Sequence, residues 1–208
     1  MTDTPTKRRG RPRAYDPEAA INQVTDVFWN NGYEGVSLDD LSAATGMNRP
    51  SLYNAFGDKR ALFQMAMERY QQRARETMRE RFLRGGTLRE GLERIYDAAL
   101  DFYLSGDLGQ RGCFLINVGL TEAVADPTIR DTAASGLHEL DRGFERLVQR
   151  AQAAGELAPG VDPLALAKVA SGILNALAVR ARAGEDRAQL QAMITATIDL
   201  ICGPQASE

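Results

Sequence analysis

The sequence predicts an all-α chain, and three observations carry that prediction. From Asp16 to Cys202 apolar residues recur three and four positions apart, the period of one helix face, with no strand alternation. The breaks fall at Asn-Gly, Gly-Gly, Gly-Asp and Asp-Pro groups, which end or open helices. The composition, 44% hydrophobic and 25% charged, is that of a chain with a sizeable core. We divide the 208 residues into a basic arm over 1–14, a three-helix helix-turn-helix unit over 15–62 and an all-α body over 63–204.

The net charge is only −3, so the protein is no general polycation. Its first 14 residues nevertheless hold Lys7, Arg8, Arg9, Arg11 and Arg13 against Asp3. A basic arm on an acidic body suits a local contact with nucleic acid. Within the arm, Arg9-Gly10-Arg11-Pro12 resembles the AT-hook, in which arginines enter a narrow minor groove of high negative potential. The competing reading is a solubilising tail. The N-terminus lacks the apolar core of a secretory signal, and no apolar run is expected to span a bilayer. The cysteines, Cys113 and Cys202, form no disulfide framework or Cys-x-x-Cys site, so a reducing cytoplasm is the expected compartment.

Asp16-Pro17 opens the first helix, which places Ala20, Ile21, Val24, Val27 and Phe28 on one face and ends at Asn31-Gly32. Ser37 caps the second, with Asp40 in the capping-box position and Gly46 at its end. Asn48 caps the third, where Pro50 is tolerated in the first turn and Leu52 and Phe56 point inward. Helix, short glycine turn and helix form a helix-turn-helix, whose second helix enters the DNA major groove by its N-terminal residues. Here those are Asn48, Arg49, Pro50 and Ser51, and Arg49 can pair bidentately with a guanine edge. An ordinary helical hairpin is the plain alternative.

Asp58 caps a long helix from Lys59 to about Arg84 that links the two regions mechanically. Gly85-Gly86 breaks it, and Thr87 caps the next, which ends at Ser105-Gly106-Asp107. Arg111 to Leu120 is nearly all apolar and should form a short helix buried at the body's centre. Asp126-Pro127 and Asp162-Pro163 open two further helices, and Ala188 to Cys202 forms the last. The final pair interleaves large residues with Ala165, Ala167, Ala170, Gly172, Ala176 and Ala178, either for packing within the chain or for a two-fold interface over about 162–202.

The run Gly35-Val36-Ser37-Leu38-Asp39-Asp40-Leu41, with Ser51-Leu52-Tyr53-Asn54-Ala55-Phe56-Gly57-Asp58-Lys59-Arg60-Ala61-Leu62, resembles the N-terminal domain of the tetracycline-repressor (TetR) family over about residues 15–65. The resemblance implies a homodimeric regulator, usually a repressor, that binds a palindromic double-stranded operator and has a C-terminal domain for a small-molecule effector. No cofactor is expected. Carried over by position, the DNA contacts are Ser37, Leu38, Asp39, Arg49, Pro50, Ser51, Tyr53, Asn54 and Lys59, with Tyr53 and Lys59 on phosphates. Asp39 departs from the basic or polar residue usual near its place; an acid there avoids phosphate and can accept from a cytosine amine.

For the effector cavity the candidates are Phe102, Tyr103, Cys113, Phe114, Asn117, Phe144 and Asn175, with Arg180 beside them. The Arg-Gly-Cys segment resembles a subgroup of the family with Gly-Cys here, some of whose members respond to electrophiles, oxidants or metals. Arg111 and a helix start at Gly112 should favour the Cys113 thiolate, which makes a thiol-based sensor the alternative function; the competing reading is a packed, inert cysteine. His138 is the only histidine, which disfavours a multi-histidine metal site, and a Cys113–His138 nucleophile pair lacks a third, orienting group. An enzyme is therefore not expected.

Overall fold

The structure, a computed structural model, describes residues 15–106 and 109–204. The arm, with Arg9 and Arg11, and the turn residue Asp107 lie outside the described residues. Among the described residues there are helices and no strand.

Helices α1 (Pro17–Asn31), α2 (Leu38–Thr45) and α3 (Arg49–Phe56) begin where short polar side chains cap them. The Asp16 carboxylate accepts from the Glu18 N–H at 2.9 Å. Ser37 and Asp40 close a full capping box, and Asn48 accepts from the Ser51 N–H at 2.9 Å. Gly46 ends α2 in the left-handed region (φ 65°, ψ 10°), which turns the chain toward α3 without a Cβ penalty. Val24, Phe28, Trp29, Leu41, Leu52, Leu62 and Phe63 are fully buried. Each contributes about 1.5–3 kcal/mol by leaving water, so the short α2 and α3 are held by packing rather than by intrinsic helicity.

Helix α4 (Lys59–Leu83), capped by Asp58, starts inside this small core and runs on into the body. There it packs against α5 (Leu88–Tyr103) and α7 (Pro127–Ala153). Helix α8 (Pro163–Arg182) lies along α7, and α9 (Arg187–Cys202) along α5. The Tyr96 hydroxyl donates to the Ala170 carbonyl at 3.1 Å and ties α5 to α8.

The central segment differs from the helix expected over Arg111–Leu120. Arg111 to Cys113 is not helical; the chain coils at Phe114, winds as a π-helix over Leu115–Gly119 and runs into the short α6 (Leu120–Glu122). Gly112 accounts for the late start: its φ of +61° cannot belong to a helix. A Cβ on Gly119 would lie 2.6 Å from the Met67 methyl, so the widened turn is pressed directly onto α4.

A second difference concerns α8. By length and composition Pro163–Arg182 is apolar enough to cross a bilayer, contrary to the sequence expectation. Its Ala167, Ala170, Ser171, Leu174, Leu177, Ala178 and Ala181 are buried against the body, the pattern of a core helix. The small residues divide accordingly: Ala167, Ala170 and Ala178 pack within the chain, whereas Ala165 and Gly172 face outward.

Candidate DNA-binding face and effector cavity

The starts of α2 and α3 share one exposed face. Ser37, Asp39, Asn48, Arg49, Pro50, Ser51, Tyr53 and Asn54 are all solvent-exposed, and Tyr53 displays 62% of its surface although it is aromatic. Leu52 and Phe56 anchor the opposite side of α3, which orients this polar edge outward. Leu38 is half-buried and packs on the core. Lys59 is also half-buried, with its ammonium 4.3 Å from the centre of the Tyr33 ring. The Arg49 guanidinium makes a two-point ion pair with the Asp39 carboxylate, whose hydrogen bonds from Arg49 hold that carboxyl below the usual range.

A cavity of about 640 Å³ opens between α4 and α7. Its interior is built from Tyr70, Met78 and Phe82 of α4, Phe102 and Tyr103 of α5, Cys113, Leu115 and Leu174. Its mouth carries Arg75, Arg79, Glu139 and Arg146, and Arg75 bridges to Glu139 at 3.3 Å. Of the candidate lining residues the structure brings together Phe102, Tyr103 and Cys113, and not the rest. Phe114 is buried among Phe63, Tyr70 and Trp29. Phe144 packs on Phe82 and Tyr96 and is absent from the lining. Asn117 donates to the Ala178 carbonyl at 3.5 Å, and Asn175 and Arg180 are absent from the lining.

The α4 lining reads in sequence simply as core, because an inward side chain looks the same whether it meets a neighbour or a void. Gly136 and Gly143 gave a usable signal: two glycines seven residues apart inside a long helix, where glycine is unfavourable. Their missing side chains admit Gln71 and the Phe82 ring, from which added Cβ atoms would lie 2.8 Å away.

At the cavity's inner end the Tyr70 hydroxyl donates to Cys113 Sγ at 3.0 Å. Tyr103 is 5% exposed, and its hydroxyl makes no hydrogen bond among the described residues. Burial pushes the Cys113 thiol above its usual range despite the hydrogen bonds from Tyr70 and from the Ile116 and Leu115 N–H groups. Burial likewise drives both phenols well above theirs, with Cys113 adding to the effect. The expected thiolate is therefore not favoured. The helix start does aim N–H groups at the sulfur, but desolvation outweighs them. Arg111 takes no part: its guanidinium points away, to Asp26 at 2.7 Å and Asn30 at 3.0 Å, over the Trp29 ring. His138 is exposed on α7.

These contacts also tie the cavity floor to α1 by a route other than α4. Trp29 Nε1 donates to the Arg111 carbonyl at 3.1 Å, and its ring meets Tyr70 edge-on at 4.9 Å. Arg182 of α8 donates to the carbonyls of Trp29 and Asn30, at 3.2 and 3.1 Å. At the start of α4, Arg60 pairs with Asp126, the N-cap of α7, at 2.5 Å.

Two family models match the chain. The one described as bacterial regulatory proteins, tetR family, covers residues 22–66, and the one described as tetracyclin repressor-like, C-terminal domain, covers residues 89–197. The chain belongs to the TetR family. It is a DNA-binding transcriptional regulator, of a family of regulators rather than enzymes. It is 31% identical to the HTH-type transcriptional repressor ComR of Escherichia coli K12 over 195 residues, 93% of this chain and 92% of ComR. It is 37% identical over 70 residues to the E. coli repressor BdcR, 34% of this chain and 36% of BdcR. Its fold resembles that of a cysteine mutant of the TetR-family regulator CifR complexed with 26 bp double-strand operator DNA, with a TM-score of 0.81, 32% identity and coverage of 90% of this chain and 98% of CifR.

Proposed function

We propose that this TetR-family regulator is a repressor that leaves its operator when a small molecule occupies the α4–α7 cavity. The observation that carries the reading is continuity: the helix that forms one cavity wall starts inside the DNA-binding unit. The names of ComR and BdcR as repressors, and CifR's operator complex, support it. Residues 15–62 form the DNA-binding unit, residues 63–204 sense and dimerise, and the 1–14 arm with Arg9 and Arg11 follows the minor groove. Ser37, Leu38, Arg49, Pro50, Ser51, Tyr53, Asn54 and Lys59 meet the DNA, Leu38 through its backbone, and Asp39 stands on the same face beside Arg49.

A second copy covers the outer face of α8 and α9. There Val169 and Leu200 are exposed by 58% and 88%, although both are large and apolar. Two copies read half-sites of a palindrome about 34 Å apart. A ligand that binds the spread form of α4 and α7 more tightly shifts that spacing and releases the DNA. The Tyr103 hydroxyl offers the ligand a hydrogen bond, and the Arg-rich mouth favours an acidic or polar tail.

Cys113 on the cavity floor favours one further reading, in which its sulfur adds to an electrophile or is oxidised by a peroxide to a sulfenic acid, the peroxide being reduced to water. Gel shifts on the DNA upstream of its own gene, with small molecules and with oxidant and reductant, separate the two. Under ligand control Cys113→Ser still releases the DNA on effector binding; under thiol control it stays bound. No release by any treatment contradicts both.

A further inference from the structure

Asp39 stands where an acid is least expected, on a face that meets phosphates. It is the second residue of α2, Arg49 is the first of α3, and their side chains remain 66% and 58% exposed. An ion pair so open to water adds little to stability, so stability does not explain it. Its geometry is specific. Arg49 Nε donates to one Asp39 oxygen and Nη2 to the other, a side-on fork. The outer edge, formed by Nη1 and the second Nη2 hydrogen, keeps its donors and makes no other hydrogen bond among the described residues. Those parallel donors match O6 and N7 of guanine. The capping box formed by Ser37 and Asp40 fixes the start of α2 and so the place of the carboxylate.

We propose that Asp39 is a specificity-determining residue: it clamps the Arg49 guanidinium side-on, so that Arg49 reads guanine with its outer edge instead of binding phosphate. This rests on the reading of Arg49 as a base contact. The carboxylate repels a phosphate approaching the fork but not an uncharged base. It also orders a side chain that would otherwise lose its freedom on binding. Asp39 thus lowers affinity for DNA in general and keeps affinity for the right site. The cytosine-amine contact considered from sequence is not needed, since the carboxylate oxygens are already used.

The test selects preferred sites from a randomised duplex pool with the wild type, Arg49→Ala, Asp39→Ala and Asp39→Asn. Dissociation constants follow, across a salt series, on the selected site, on the site with the Arg49-dependent base pair changed, and on random duplex. Thermal melts confirm that the variants are folded. Arg49→Ala should abolish preference at one G·C pair in each half-site, a loss of roughly 5- to 150-fold in discrimination. Asp39→Ala should weaken preference at that same pair by about threefold or more while binding random duplex more tightly. Its salt slope should steepen by about one. Asp39→Asn should fall between. Full preference in Asp39→Ala, or an equal tightening on all three duplexes, would overturn the clamp and leave Arg49 reading unaided. An Arg49→Ala variant with unchanged base preferences would overturn the Arg49 reading and the clamp with it.

Discussion

Cys113 keeps its proton because it is buried, and that has a measurable consequence above neutrality. Its thiol, like the Tyr70 and Tyr103 phenols, is held above its ordinary value by desolvation. The unfolded chain releases a thiol proton near the ordinary value of 9.0, while the folded chain still holds it. The stability this contributes is therefore fully present below pH 9.0 and is lost as pH rises through the folded value. Chemical denaturation at pH 7 and pH 10 should show the loss, up to about 1.4 kcal/mol per group for each pH unit above its ordinary value. Cys113→Ala should remove the thiol's share, provided its effect is compared between the two pH values. Arg111 shows why adjacency in sequence misleads at this scale. It stands two residues from Cys113, yet Gly112 turns the chain with a φ of +61°, so the sulfur faces the cavity and the guanidinium faces α1.

Among the elements, the helix boundaries were legible because capping is local. Ser37, Asn48, Asp58, Thr87 and Asp126 each accept from N–H groups two or three residues ahead, and a reader of the sequence sees both partners together. Beyond the hint of two glycines in one long helix the cavity was not legible, because it depends on how far α4 stands from α7, and Gly136 and Gly143 meet partners there some 60 residues away. The π-helical segment was hidden for the same reason: Leu115–Gly119 answers to Met67 on α4. Gly112 is the sharpest probe of this layer. A Cβ there would lie 2.1 Å from Asn117 Nδ2 and 2.5 Å from the Ala178 carbonyl oxygen, on a backbone that L-residues rarely adopt. Gly112→Ala should cost about 1–3 kcal/mol from the backbone alone, more with the clash, and should loosen the Arg111 contacts to α1. Thermal melts measure the first effect. The emission of Trp29, the only tryptophan, measures the second, since its Nε1 is bonded to the Arg111 carbonyl.

For the whole molecule, two routes join the cavity in the body to the exposed face of α2 and α3. One is α4; the other passes from Cys113 through Arg111 and Trp29 into α1. Dimerisation makes the geometry count, because a single short α3 contacts few bases and a second copy sets the register. Val169→Glu with Val179→Glu should place charges on the outward face of α8, where the native residues are 58% and 51% exposed, without disturbing its buried face. Sedimentation should then report a monomer of unchanged helicity, and operator affinity should fall roughly a hundredfold or more as the avidity of two half-sites is lost. A variant that remains dimeric would move the interface elsewhere.

The most direct test of the central claim, that occupancy of the α4–α7 cavity releases the DNA, needs no knowledge of the natural effector. N-ethylmaleimide attached to Cys113 in a Cys202→Ser background is a covalent occupant of the cavity floor. Mass spectrometry establishes a single adduct, and fluorescence anisotropy measures operator affinity before and after. Affinity should fall by about tenfold or more on modification, Trp29 emission should shift with it, and the Cys113→Ser, Cys202→Ser protein should be unaffected. A fully modified, folded protein that holds its operator as tightly as before would contradict that claim.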